Sequence, residues 1–187
     1  MKEDMDQWAG DLVPLTKEEM ELFSLGQEKQ VLRRGMSVTA KGIFTTIYHE
    51  RVLAYSYRRY LGKDDKPNAL LLARTAAHEY RYWIRKGLGT LYIDGQEVGE
   101  LDRQGALRGK RTGKTLAAVQ RDASKLLPVS VGGREVGSLS ASVKDQTKGL
   151  YDRAFEFLRD DMDDKEEQLF LALALKELVE RTVEKGK

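Results

Sequence analysis

The sequence predicts a mainly β protein with a C-terminal helix (α+β). It reads as an antiparallel barrel or sandwich of about twelve strands with a buried apolar C-terminal helix, preceded by a short N-terminal helix. Three observations predict it. Short runs of alternating polarity recur every 8–12 residues from about residue 29 to residue 143, a spacing typical of antiparallel barrels and sandwiches rather than βαβ units. One hairpin sequence occurs twice, as LYIDGQEVGEL at 91–101 and VSVGGREVGSL at 129–139. Residues 169–175, LFLALAL, are apolar on every helical face. A helix lying on a sheet shows one apolar stripe, whereas one that is apolar all round is enclosed by protein.

The 187 residues suit one domain, able to bury roughly two thirds of its unfolded-chain surface. Residues 1–26 read as an arm with a short helix and 27–187 as the barrel domain. The absence of cysteine excludes a disulfide scaffold, a zinc ribbon, an iron–sulfur site and a cysteine nucleophile. With only His49 and His78, a His-rich metal site is not expected either, and no cofactor is implied. No apolar run approaches the roughly 20 residues that span a bilayer. The opening MKEDMDQWAG is acidic and unlike a secretory signal. The expected compartment is the cytoplasm.

Residues 1–15 read as irregular, with Trp8 as an anchor. Thr16-Lys17-Glu18-Glu19 opens a short helix, Thr16 being the N-cap and Glu19 completing a capping box. Met20, Leu22 and Phe23 form its apolar side and Gly26 ends it. Met36, Val38 and Ala40 then alternate with Ser37, Thr39 and Lys41. Phe44, Thr46 and Tyr48 follow, then a strand over 52–60. Asp64-Asp65-Lys66-Pro67 is a turn, and Leu70-Leu71-Leu72-Ala73 reads as a strand covered on both faces. Tyr80, Tyr82 and Ile84 alternate with Arg81, Trp83 and Arg85.

The repeat has an offset of 38 residues. Asp94-Gly95 matches Gly132-Gly133, two-residue loops that accept the positive φ of a type I′ turn. Val98 and Leu101 are three apart, so a bulge at Gly99 is needed to bring both to one face. Further on, 151–158 reads as a short helix. Asp163 or Asp164 caps a longer one, with Glu166 and Glu167 in its first turn favouring its dipole.

Twelve or so antiparallel strands, hairpins reading Asp-Gly-x-x-Val-Gly and a final all-apolar helix together resemble the tubby-like C-terminal superfamily. That superfamily includes the phospholipid scramblases and the plant LURP-one-related proteins. The resemblance covers roughly residues 29–183 and implies a closed barrel wrapped around the helix that carries 169–175. It also implies a binding role, since tubby domains hold phosphoinositide head groups through basic residues on the barrel. The chain departs from the scramblases in having neither their cysteine-rich segment nor their membrane-spanning end.

The net charge of +2 is strongly segregated. Residues 1–26 hold 2 basic and 7 acidic side chains, 27–150 hold 23 and 12, and 151–187 hold 7 and 11. Either the acidic ends pack near the basic body, or the body attracts an anionic partner. The densest basic cluster is Arg108, Lys110, Arg111 and Lys114, expected to form any anion site together with Arg81 and Arg85. The stretch GKRTGKT at 109–115 is not a P-loop, because three residues separate its glycines where four are required.

Tyr55-Ser56-Tyr57-Arg58-Arg59-Tyr60 and Tyr80-Arg81-Tyr82-Trp83-Ile84-Arg85-Lys86 interleave aromatic and basic residues. That mixture suits nucleic acid and equally suits strands with one wet face. The acidic knot at 160–167 breaks the EF-hand pattern at Lys165 and Glu166. His49-Glu50 and His78-Glu79, each expected on a strand, give no zinc-protease motif. The expected function is therefore non-enzymatic binding of an anionic phospholipid head group or other phosphate. The alternatives are a nucleic-acid-associated protein, and a protein-interaction domain docking through the acidic N-terminal helix.

Overall fold

The computed structural model describes residues 1–62, 66–121, 126–140 and 153–184. Twelve strands lie in one sheet in sequence order, each antiparallel to the next. They are β1 (Phe23–Arg34), β2 (Ser37–Thr46), β3 (Arg51–Leu61), β4 (Pro67–Arg74), β5 (Glu79–Arg85) and β6 (Leu88–Ile93). Then come β7 (Gln96–Leu101), β8 (Ala106–Gly109), β9 (Thr115–Val119), β10 (Leu126–Val131), β11 (Arg134–Ser140) and β12 (Phe155–Leu158). From β1 to β11 the connections are two to six residues long, which favours pairing of consecutive strands. The sheet curls until its ends meet: Ser24 bridges Arg153, and the Ala154 amide donates to the Phe23 carbonyl at 2.8 Å. The result is a nearly closed barrel.

Helix α3 (Asp164–Glu184) fills it. All seven residues of 169–175 are buried, as the apolar run requires. Gly137 of β11 permits the close approach. A Cβ there would stand 2.7 Å from Phe170 Cε2. The helix start is fixed by a reciprocal cap: Asp163 Oδ1 accepts from the Glu166 amide at 2.7 Å, and Glu166 Oε2 accepts from the Asp163 amide at 3.0 Å. Arg134 of β11 ties that end to the wall through Glu166 (2.8 Å) and Asp161 (3.1 Å). Near the other end Arg121 meets Glu177 at 3.0 Å, and Arg181 donates to the Ser140 carbonyl at 2.6 Å.

The repeat is real. Asp94-Gly95 and Gly132-Gly133 all take positive φ, and both hairpins carry a register shift at matching places. The residue left over is Val98 in one and Val136 in the other, so the bulge precedes Gly99 rather than falling on it.

Several local expectations are corrected. Residues 1–15 are irregular only from Gly10 onward, because Lys2–Ala9 form helix α1. Its Met5, with Trp8 and Leu12, packs on Ile43, Ala54 and Leu72 outside the barrel. Helix α2 (Lys17–Glu21) follows Thr16, but the Thr16 side chain makes no capping bond; buried Met20 anchors the helix instead. It ends at Leu22, since β1 already begins at Phe23 and includes Gly26. Leu71 and Ala73 are buried, whereas Leu70 and Leu72 on the outer face are only half-buried. The segment 155–158 is strand β12, paired with β11, rather than helix. His49 lies in the β2–β3 turn with φ 65°, and His78 in the turn before β5. The Asp64-Asp65 turn, residues 141–143 and the start of the segment expected at Tyr151 lie outside the described residues. Among the described residues, no helix is long and apolar enough to cross a membrane.

Candidate anion-binding face

Strand alternation sends every second side chain of the wall outward, and register decides which of them become neighbours. One outward row runs Leu32, Thr39, Arg58, Leu70, Trp83, Thr90, Glu100, Arg108 across β1 to β8. Beside it, Arg34 faces Ser37, Ser37 faces Tyr60, and Arg85 faces Leu88. Leu32, Tyr60, Trp83 and Leu88 are between 52% and 59% exposed. Arg34, Arg58 and Arg85 are exposed among them and form no ion pair among the described residues. Large apolar side chains and unpaired guanidinium groups therefore share one outward surface.

The sequence-derived residues divide around this face. Arg85 belongs to it directly. Arg81 lies four residues back along β5, on the order of 13 Å away, with its guanidinium 4.4 Å over the Tyr92 ring. Arg108 ends the long row, and its Nε is 3.8 Å from Asp102. Lys110, Arg111 and Lys114 occupy the exposed β8–β9 turn, at the Arg81 end of the wall and away from Arg85. Lys110 pairs with Glu97 at 2.9 Å, which raises its pKa, and Arg81, Tyr92, Glu97 and Lys110 form one chain of partners across β5 to β8. Arg111 and Lys114 have no ion-pair partner among the described residues. The turn is thus partly neutralised by its own wall, while Arg34, Arg58 and Arg85 are not.

Sequence reasoning missed Arg34, Arg58, Leu32, Tyr60, Trp83 and Leu88 as one group. The available signal was the alternation within the two aromatic–basic stretches, which sets Arg58 with Tyr60 and Trp83 with Arg85 on the wet side. His78 has a different setting, 2.7 Å from Asp94 and 3.3 Å from Gln168 at the α3 start.

Fold and face together define a nearly closed twelve-stranded barrel, threaded by its C-terminal helix, with an amphipathic basic outer wall. No protein-family model matches the chain, and no curated protein or solved structure matches it.

Proposed function

We propose that this barrel is a non-enzymatic binding module of the tubby-like kind that docks its outer wall on an anionic phospholipid surface. The observation that carries the reading is the intermixing of Leu32, Tyr60, Trp83 and Leu88 with Arg34, Arg58 and Arg85. Tyrosine and tryptophan favour the boundary between head groups and acyl chains. A guanidinium presents paired N–H donors that match phosphate oxygens. Each basic residue near an anionic leaflet contributes about 1 kcal/mol. Three such residues give weak, salt-sensitive attraction, which the four apolar side chains strengthen by insertion. The basic turn at Arg108, Lys110, Arg111 and Lys114 adds charge at one edge of the same wall.

Co-sedimentation with phosphatidylcholine vesicles, with and without phosphatidylserine, tests the reading. The protein should sediment only with the anionic vesicles and should release as salt rises. Trp83→Ser with Leu88→Ser, and separately Arg58→Gln with Arg85→Gln, should abolish sedimentation without loss of fold. Neutralising the four turn residues should weaken it. If the wild-type protein ignores anionic vesicles at low salt, the proposal is wrong. Binding to an oligonucleotide instead would favour the nucleic-acid reading.

A further inference from the structure

A cavity opens on the inner side of the wall, at the barrel mouth beside the C-terminal half of α3. One inward row crosses five strands there: Arg59 faces Ala69, Ala69 faces Ile84, Ile84 faces Gly89, and Gly89 faces Leu101. Two residues deeper, the parallel row is Tyr57, Leu71, Tyr82, Leu91 and Gly99. The deeper row is mostly large and packs against the helix. In the outer one, Ala69 is small and lines the open space, while Gly89 lets Leu101 close in, since a Cβ there would stand 3.3 Å from Leu101 Cβ. The cavity measures about 340 Å³, within the range of small-molecule sites.

Its floor is apolar, from Ala69, Ile84 and Leu101, while five cationic and three acidic side chains line the rest. Most of these charges are already engaged. Lys176 meets Glu180 at 2.8 Å, Arg121 meets Glu177 at 3.0 Å, and Asp102 accepts two amides of its own turn at 2.9 Å. Arg59 and Arg103 have no carboxylate partner among the described residues. Arg103 donates to the Lys86 carbonyl at 2.7 Å, which fixes its guanidinium over Gly87. Arg59 Nε is buried without a hydrogen-bond partner among the described residues. A buried donor without an acceptor is costly, and such sites are normally completed by a ligand, an ion or water.

We infer that this cavity binds a small amphiphilic anion: a short apolar chain ending in one carboxylate or phosphate. The chain would cover Ala69, Ile84 and Leu101, and the head group would accept from Arg59 and Arg103. Glu180 and Glu184 on the same lining disfavour a polyanion, so a single head group fits the charge. The inference is independent of vesicle docking. Arg59, Ala69, Ile84 and Leu101 lie on the inward row and Arg103 in the exposed β7–β8 turn at the mouth, and none belongs to the outer group of arginines and large apolar side chains.

Isothermal titration of the full chain provides the test, with hexanoate, hexyl phosphate, inorganic phosphate, 1-hexanol and hexyltrimethylammonium as probes. Hexanoate or hexyl phosphate should bind, and the other three should bind at least about tenfold more weakly, the scale of one charged hydrogen bond. Arg103→Gln, on an exposed and fold-tolerant side chain, should weaken the anion by about tenfold, as should Arg59→Gln. Ala69→Leu should block binding by filling the floor, with circular dichroism confirming its fold. The inference is overturned if neither hexyl anion binds at millimolar concentration. It is equally overturned if inorganic phosphate binds as well as hexyl phosphate, or if both arginine variants bind like wild type. Preference for one hexyl anion over the other identifies the head group.

Discussion

The phenol of Tyr82 donates a 2.6 Å hydrogen bond to the backbone carbonyl of Ala172. Both residues are fully buried, and the bond joins β5 to the middle of α3. A phenol this deep needs a partner, and the helix backbone supplies one. Tyr82→Phe keeps the ring and loses only that bond, so it should cost about 1 kcal/mol. Leu173→Ala empties space beside the same contact and should cost about 2–5 kcal/mol. Denaturant unfolding measures both. A Leu173→Ala protein as stable as wild type would show that α3 is not packed as a core element.

Alkaline pH should unfold the barrel together with ionisation of its inner tyrosines. Burial raises the pKa of Tyr55, Tyr57, Tyr80 and Tyr82 above the ordinary phenol value. The unfolded chain therefore gives up these protons first. The stability they contribute is complete below about pH 10 and is lost as pH rises towards the folded-state values. Phenolate absorbance for these four should grow in step with loss of near-ultraviolet circular dichroism. Full ionisation with the dichroism intact contradicts the burial.

Gly137 and Gly133 sit in one hairpin and should respond differently. At Gly137 a Cβ would meet Phe170 Cε2 at 2.7 Å and the Phe157 carbonyl at 2.9 Å. Gly137→Ala should lower stability by about 1–3 kcal/mol through overpacking. Gly133 has φ 80° with open space around it, and asparagine tolerates that conformation. Gly133→Asn should change stability by less than about 0.5 kcal/mol. Equal effects at the two sites would contradict the packing at β11.

Asp161 should make the barrel sensitive to acid. Arg159 hydrogen-bonds its carboxylate at 2.8 Å and 3.1 Å, and Arg134 adds a bond at 3.1 Å. These hold the carboxyl well below the ordinary range. A lowered folded-state pKa means that the unfolded chain takes the proton first. The contribution is present above about pH 4 and disappears as pH falls below that. Asp161→Asn should be less stable than wild type at neutral pH, the gap narrowing in acid and in high salt. A gap that ignores both pH and salt would assign Asp161 a purely steric role.

The fold class was legible because its signals are local. Period-two alternation, a repeated turn and a seven-residue apolar run each announce an element without reference to the rest of the chain. Helix α1 was missed because its apolar signal is only Met5 and Trp8, with Leu12 beyond, among acidic residues. Strand β12 was missed because Ala154, Phe155, Phe157 and Leu158 fit a helical stripe as well as a strand, and only the β11 register at Leu139 and Ser138 decides. The outer face was illegible for a similar reason. Arg34, Arg58 and Trp83 are at least 24 residues apart in sequence, and sheet register alone brings them to one surface. Lys110 stood out in the sequence as a cation, and nothing nearby in the chain revealed that Glu97 answers it.

The helix that fills the barrel is synthesised after all twelve strands. A ribosome therefore delivers the wall first and its interior last. Until 169–175 emerges, the inward rows of Tyr57, Leu71, Tyr82 and Leu91 have no helix to close upon. A nascent chain at that stage exposes apolar surface and unfinished sheet edges, the features that expose folding intermediates to aggregation. Release of α3 is then the event that commits the barrel, and any arrest of translation before Asp164 should leave a product fit only for chaperones or proteolysis.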